Sequence, residues 1–403
     1  MTASARRSIL PALTAAEQAH SLRLARHIRE ALVAAGGWLS FEHFMELALY
    51  APGLGYYSAG SAKLGPGGDF VTAPEVSDLF SRCIARQCAA VLVRTRGEIL
   101  ELGAGSGKMA AAVLTELAAL HALPERYAIL EVSADLAERQ RERLAQLPQT
   151  LRDRVVWLQR LPERLQGVIL ANEVADALPC RRFRCEADGV RELGVVLDTA
   201  SAEPATVGTP MRFGEHAIAA SLDLERACDE IFAAVPEGLP SGYTSELCTR
   251  IAPWIATLSE CLARGLLLLC DYGLPRRHYY HRQRVTGTLR CHYKGLAHEN
   301  PYINLGVQDI SAWVDFTRVA DAALMAGLQV QGFATQAAFL LGCGIEQLVE
   351  QPGEGLERAR LAGEARRLLM PEEMGEAFKM MALGRDLDVP LAGFALQDLR
   401  HLL

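Results

Sequence analysis

The spacing of apolar residues changes period several times along the chain, and each change marks an element. Leu24, Ile28 and Leu32 recur every four residues, which predicts a helix that Gly36-Gly37 stops. Ser40 is placed to cap a second helix, whose apolar stripe is Phe41, Phe44, Met45, Ala48 and Leu49 and which ends before Pro52. A turn-rich stretch follows from Ala51 to Pro74, with nine Gly and Pro and the run Gly67-Gly68-Asp69-Phe70. Loops this long inside a compact domain are usually functional or disordered, and the aromatics Tyr56, Tyr57 and Phe70 predict order. Phe80, Cys83, Ile84, Gln87, Cys88 and Val91 then share one side of a helix.

Past that helix the pattern alternates. Strands are predicted at Glu98 to Leu102, Tyr127 to Val132, Val155 to Leu158, Val168 to Ala171 and Leu266 to Cys270, with helices at Lys108 to Leu120 and Ala134 to Leu147. Strands alternating with helices mean an α/β, Rossmann-like sheet, parallel and doubly wound, with helices on both faces. Between the fourth and fifth strands lies an insertion, where Asp188-Gly189 marks a hairpin joining Arg181 to Glu186 with Val190 to Leu197. A helical stretch is expected from about Ser245, and the tail from Gln336 reads as mostly helical. The organisation predicted is an N-terminal helical cap and covering loop (1–95), a core (96–335) with an insertion at about 180–260, and a C-terminal tail (336–403).

Composition narrows the function classes. Half of the 403 residues are apolar, so a large core forms without disulfide or metal staples. The formal net charge is −7 and no basic tract stands out, so a nucleic-acid partner is not expected. The ten cysteines include no C-x-x-C pair and scatter through apolar stretches. They read as small buried hydrophobes in a reducing compartment, with zinc or redox work as the alternative, and no metal site is expected. No apolar run approaches about 18 residues, so membrane insertion is not expected. Met1 to Leu13 holds Arg6 and Arg7 but no secretory h-region, which favours the cytoplasm, or the mitochondrial matrix in a eukaryote. No heptad pattern signals an oligomer.

The strongest local signal is Ile99-Leu100-Glu101-Leu102-Gly103-Ala104-Gly105-Ser106-Gly107-Lys108, a strand, a glycine turn and a helix start. Glycines let backbone approach a ligand closely, and the helix N-terminus favours a carboxylate. A P-loop needs four residues between its glycines, and Gly103 and Gly107 enclose three. A dinucleotide fingerprint needs a glycine where Lys108 stands. The G-x-G-x-G form after acidic Glu101 is the pattern of S-adenosyl-L-methionine enzymes, which makes the sheet a class I methyltransferase sheet. Glu131, ending the next strand, is placed to accept hydrogen bonds from ribose hydroxyls; it also falls in the capping region of the helix after Ser133.

The fourth strand ends in Asn172-Glu173-Val174-Ala175-Asp176-Ala177-Leu178-Pro179, on the rim where ligands of such sheets bind. Asn172, Glu173 and Asp176 are therefore the candidate catalytic residues. The prolines and aromatic residue that base-methylating enzymes carry here are missing. Two carboxylates suit a guanidinium, whose forked N–H donors they match; the competing role for either is a helix cap. Asp271 faces the same rim, and His292 and Tyr293 are either pocket residues or ordinary strand residues.

Several further segments agree in order with one family. Leu49-Tyr50-Ala51-Pro52-Gly53-Leu54-Gly55-Tyr56-Tyr57, Gly68-Asp69-Phe70-Val71-Thr72-Ala73-Pro74-Glu75, Glu101 to Gly107, Asn172-Glu173 with Asp176 to Pro179, Asp271-Tyr272-Gly273, and Asp309-Ile310-Ser311 with Val314-Asp315-Phe316 resemble the MidA-like methyltransferases. That family includes the mitochondrial complex I assembly factor that methylates protein arginine. The resemblance implies a protein substrate such as a respiratory NADH dehydrogenase subunit, and a loop from Gly68 to Glu75 that closes over the cofactor with Thr72 and Pro74 near it. Members often carry Pro and Arg where this chain has Ala104 and Ser106, a change expected to leave cofactor binding undisturbed; they also carry bulky aromatics where Val174 and Ala175 stand, which implies a wider or differently shaped acceptor pocket. The alternatives are another nitrogen or oxygen acceptor, in a small molecule or RNA, and a non-catalytic assembly chaperone. The intact Glu101, Gly103, Gly105, Gly107 and Glu131 argue against the chaperone.

Overall fold

In the computed structural model, which describes residues 10–59, 71–198, 211–350 and 355–403, the long apolar runs become strands of one sheet, the central ones buried on both faces. The strands are β1 (Glu98–Leu102), β2 (Tyr127–Leu130), β3 (Val155–Leu158), β4 (Leu165–Asn172), β5 (Leu262–Leu274), β6 (Gln329–Thr335) and β7 (Phe378–Arg385). Their order across the sheet is β6-β7-β5-β4-β1-β2-β3, with the short strand Val314–Asp315 on the end of β5. The pairs from β5 to β3 are parallel, and β7 runs antiparallel to both its neighbours. Val168, Leu170, Leu266 and Leu268 pack with the helices Asp78–Thr95 and Lys108–Ala119 on one face. Ile169, Ala171, Leu267 and Leu269 pack with Ile251–Cys261 and Phe316–Met325 on the other. Two-sided burial is why these strands show unbroken apolar runs instead of alternation.

The chain winds outward from β1 through β2 to β3 on one side, and from β4 to β5 on the other. The order therefore reverses between β1 and β4, and the crevice beyond their carboxyl ends is where α/β sheets bind ligands.

The N-terminal cap is as expected. Helices Ala15–Ala34 and Phe41–Tyr50 bury Leu24, Ile28, Phe41, Phe44, Met45 and Leu49, and Ser40 Oγ caps the second by accepting from the His43 N–H at 3.2 Å. These residues pack on Val195, Phe213, Cys291 and Ile310 from two antiparallel sheets. The larger sheet joins Leu39–Ser40, Gly189–Leu197, Arg181–Glu186 and Thr244–Leu247, with Phe213–Ala219 along its side. The smaller one joins Leu296–His298, Arg290–Tyr293 and Asp309–Ser311.

Three expectations need correction. Residues 244–247 form a strand on the edge of Arg181–Glu186, and the helix begins only at Ile251. The tail is not mostly helical in the sense expected, because β7 lies inside the central sheet between β5 and β6. Its sequence Phe378-Lys379-Met380-Met381-Ala382-Leu383 is rich in helix formers, and burial between two apolar strands overrides that preference. The second predicted strand stops at Leu130, so Glu131 and Val132 lie on the loop beyond it. Gly67 to Phe70, the notable run of the turn-rich stretch, lies outside the described residues. All ten cysteines are free, and every one except Cys248 is buried.

Candidate active site

A cavity of about 360 Å³ opens at the reversal point, a size suited to one small organic ligand. Its floor is the turn after β1. Gly103, Gly105 and Gly107 all have positive φ (62°, 54° and 76°), a conformation that glycine adopts without strain. Gly103 and Gly105 line the cavity, while Gly107 caps the helix Lys108–Ala119 and backs onto Gln140. Glu101 also lines the cavity and is buried, with Tyr127 Oη donating to its Oε2 at 2.7 Å. Burial, with some help from the charge of Glu131, pushes the Glu101 carboxyl up to about 7 against the opposing hydrogen bond from Tyr127.

Glu131 points a carboxylate along the same wall. Its oxygens accept from the Ser133 N–H at 2.8 Å and from Gln140 Nε2 at 2.9 Å. Gln140 also donates to the Gly105 carbonyl at 3.0 Å, and its Oε1 accepts from Trp157 Nε1 at 3.0 Å. This one fully buried amide thus ties the glycine turn, the β2-end carboxylate and β3 together. Thr72 and Pro74 reach the cavity from the short helix Ala73–Val76 and its N-cap. That segment is fastened to the glycine turn, because Ser106 Oγ donates to Glu75 and Lys108 Nζ donates to the Glu75 carbonyl at 3.1 Å.

The far wall belongs to β4 and the N-terminal cap. Asn172 and Glu173 line it together with Tyr50, Tyr57 and Ala177. Glu173 holds a left-handed backbone (φ 52°), secured by its N–H donating to the Cys270 carbonyl at 2.8 Å. A non-glycine residue in this region is strained, and such strain gathers at functional sites. Asp176 does not line the cavity; it lies buried behind the wall, with Oδ1 lacking a hydrogen-bond partner. Burial, then the charges of Asp271 and Asp309, hold the Asp176 carboxyl well above its usual range. Burial, then Asp176, does the same to Glu173. Asp271 is a structural group. Its Oδ2 accepts from the Ala175 and Asp176 N–H groups at 2.9 and 3.2 Å and shapes the loop, while burial pushes its carboxyl up to about 8. Carboxyls raised in this way await a cation, whose charge would restore their ionised form.

A family model described as an S-adenosyl-L-methionine-dependent methyltransferase matches residues 83–334. The crystal structure of a protein from Burkholderia thailandensis bound to S-adenosylhomocysteine is 39% identical, with a TM-score of 0.91, and the match covers 98% of this chain and 100% of that one. The mitochondrial protein arginine methyltransferase NDUFAF7 of Danio rerio is 27% identical, across 89% of this chain and 86% of its own length. The Mus musculus protein of the same name is 28% identical, across 86% and 81%. The chain belongs to the MidA-like methyltransferase family. Its cofactor is S-adenosylmethionine, and the cavity suits such a molecule: glycine backbone at Gly103 and Gly105 on its floor, the Glu131 carboxylate on its wall, and an apolar margin of Val132, Leu136 and Leu161.

In this methyltransferase the sequence-predicted cofactor residues converge on one cavity, apart from Gly107 just behind its floor. Of the three candidate catalytic residues, Asn172 and Glu173 reach the cavity and Asp176 stands one layer back. His292 and Tyr293 are strand residues outside it: His292 faces Asp309, and Tyr293 Oη donates to Glu17 at 3.3 Å. Sequence reading assigns no role to three important groups, although Tyr50 and Asp309 fall in segments that match the family. Gln140 sits among polar helix residues, Tyr50 is a residue of a helix that otherwise reads as cap, and Asp309 comes from the far end of the core. The aromatic content of the turn-rich stretch was the available signal for Tyr57. Among the described residues, no helix is long and apolar enough to cross a membrane.

Proposed function

We propose that this methyltransferase moves the methyl of S-adenosylmethionine to a guanidinium nitrogen of arginine in a protein, such as a respiratory NADH dehydrogenase subunit. The observation that carries the reading is the gathering of carboxyls, Glu173 at the wall and Asp176 behind it with an unpartnered Oδ1, around a tyrosine-lined recess. A flat, forked cation satisfies such a recess twice, through carboxylate pairing and through stacking on the Tyr50 and Tyr57 rings, which lie 5.5 Å apart and nearly parallel. The name borne by the curated relatives, protein arginine methyltransferase, supports the same class of acceptor.

In this reading Gly103 and Gly105 admit the cofactor to the turn, Gly107 starts the helix behind it, Glu101 faces its charged end, and Glu131 holds its ribose. Thr72 and Pro74 cover it. Glu173, steadied by Asn172 Nδ2 at 3.3 Å, orients the guanidinium and takes its proton, while Asp176 adds negative charge from behind. The enzyme works where its acceptor folds, in the cytoplasm or, in a eukaryote, the mitochondrial matrix. The test is mass spectrometry for methylarginine in extracts with and without the protein. An arginine, first sought in NADH dehydrogenase subunits, loses methylation when the protein is absent; an unchanged methylarginine profile ends the reading.

A further inference from the structure

Each methyl delivered to a guanidinium leaves a proton behind. The C–S bond breaks with its electron pair going to sulfur, a C–N bond forms on the nitrogen's pair, and that nitrogen sheds one N–H proton. A sulfonium and a guanidinium enter with two positive charges; a thioether and a methylguanidinium leave with one. The second charge departs as the proton, and it starts from a wall of buried carboxyls.

One line of side chains runs from that wall towards water. Tyr57 lines the cavity, and its Oη donates to Asp309 Oδ1 at 2.8 Å. Asp309 is 3% exposed. In the smaller sheet it stands directly opposite His292, whose Nδ1 lies 3.8 Å from Asp309 Oδ2. The His292 side chain is 29% exposed, against 5% for that of Asp309, so the line ends at solvent on an imidazole. An imidazole can accept a proton at one ring nitrogen and give one up from the other, the two-sided chemistry that a relay needs.

We propose that Tyr57, Asp309 and His292 form the proton exit of the acceptor site, a proposal that rests on the guanidinium reading above. Glu173 and Tyr57 line the same cavity, so a proton leaving Glu173 crosses it through water to Tyr57 Oη, whose own proton moves to Asp309. A small rotamer change brings Asp309 within hydrogen-bond reach of His292 Nδ1. The ring accepts there and releases a proton from Nε2 to water; rotation of the ring then brings Nδ1–H to solvent, where exchange restores the Nε2–H tautomer before the ring returns. Each hop moves one proton and leaves no net charge behind. The groups acting on this line are Tyr50, Tyr56, Glu173 and Asp176 on the cavity side, His298 on the adjoining strand, and Arg182 and Arg290 near Cys291.

The experiment measures methyl transfer from S-adenosylmethionine into the proteins of an extract lacking this chain, read as methylarginine. Wild type, Tyr57→Phe and His292→Ala are compared across about pH 6 to 9. Tyr57→Phe keeps the ring and should lower kcat about tenfold, with KM for S-adenosylmethionine changed by no more than about twofold. His292→Ala should lower kcat about fivefold, most strongly in dilute buffer, and added imidazole should restore it. Restoration by imidazole is a response that a purely structural histidine does not give. A His292→Ala enzyme as fast as wild type at every pH, or a slow one deaf to imidazole, overturns the exit alone. A wild type that makes no methylarginine removes the guanidinium reading and the exit with it.

Discussion

At one end of the cavity one short segment, from Glu101 to Ser106, supplies the floor, whereas at the other end the wall is assembled from Tyr50, Tyr57, Asn172, Glu173 and Ala177, with Asp176, Asp271 and Asp309 behind. The first end is made chiefly of backbone, shaped by three alternate positive-φ glycines. The second is made of side chains, and the hydrogen bond between Tyr57 and Asp309 joins residues 252 positions apart. A cofactor common to many enzymes needs only a close approach of backbone and two acids, which a short motif encodes. An acceptor specific to one enzyme needs side chains from several elements, and only the folded chain brings those together.

That contrast can be tested end by end. The largest effect belongs to Gly105→Val: a β-branched residue at φ 54° is strained, and its side chain fills the floor. Calorimetric affinity for S-adenosylmethionine should fall at least about hundredfold, roughly 2.7 kcal/mol. Near-normal binding by a folded variant would show that the turn is not the floor. Glu173→Gln should leave that affinity within about twofold and cut turnover at least tenfold or so, because it removes a proton acceptor without changing shape. Unaltered turnover would reduce Glu173 to a loop-shaping group and blur the division between the two ends.

Gln140→Leu sharpens the comparison from behind the wall. It removes the bonds to Gly105, Glu131 and Trp157 together, so cofactor affinity should drop about tenfold at an unchanged acceptor KM. An equal loss at both ends would mean that the variant loosens the whole sheet. The smallest effect is one of pH. Glu101, at about 7, is largely neutral below that value, and a bound cation favours its ionised form. Affinity for the sulfonium cofactor should therefore rise a few-fold between about pH 6 and pH 8 and then level off, with proton release on binding. Glu101→Gln should flatten the profile, and a profile that falls with pH would contradict the assignment.

The same physical difference explains what was legible in advance. Helix faces such as Phe41, Phe44, Met45, Ala48 and Leu49 are local patterns, and all five residues are buried as read. Strands that alternate with helices announce a parallel sheet, and the glycine spacing announces its ligand. Gln140 gives no such signal, because its neighbours Arg139 and Arg141 are polar too and only packing shows which of them turns inward. Thr244–Leu247 is hidden for a related reason: its buried Ser245 and Glu246 read as surface, yet Glu246 accepts from the Thr288 N–H at 2.7 Å. β7 is concealed by composition, since methionine, alanine and leucine favour helices when no tertiary partner decides otherwise.

The place of β7 has a consequence for the ribosome. Synthesis delivers β5 and then β6 before the strand that separates them exists. During that interval β5 carries an open apolar edge, ready to pair with any strand at hand. The nascent protein thus passes through a stage in which its catalytic rim is nearly built while its sheet is still unsealed, and its folding is most exposed to error while that edge stands unshielded.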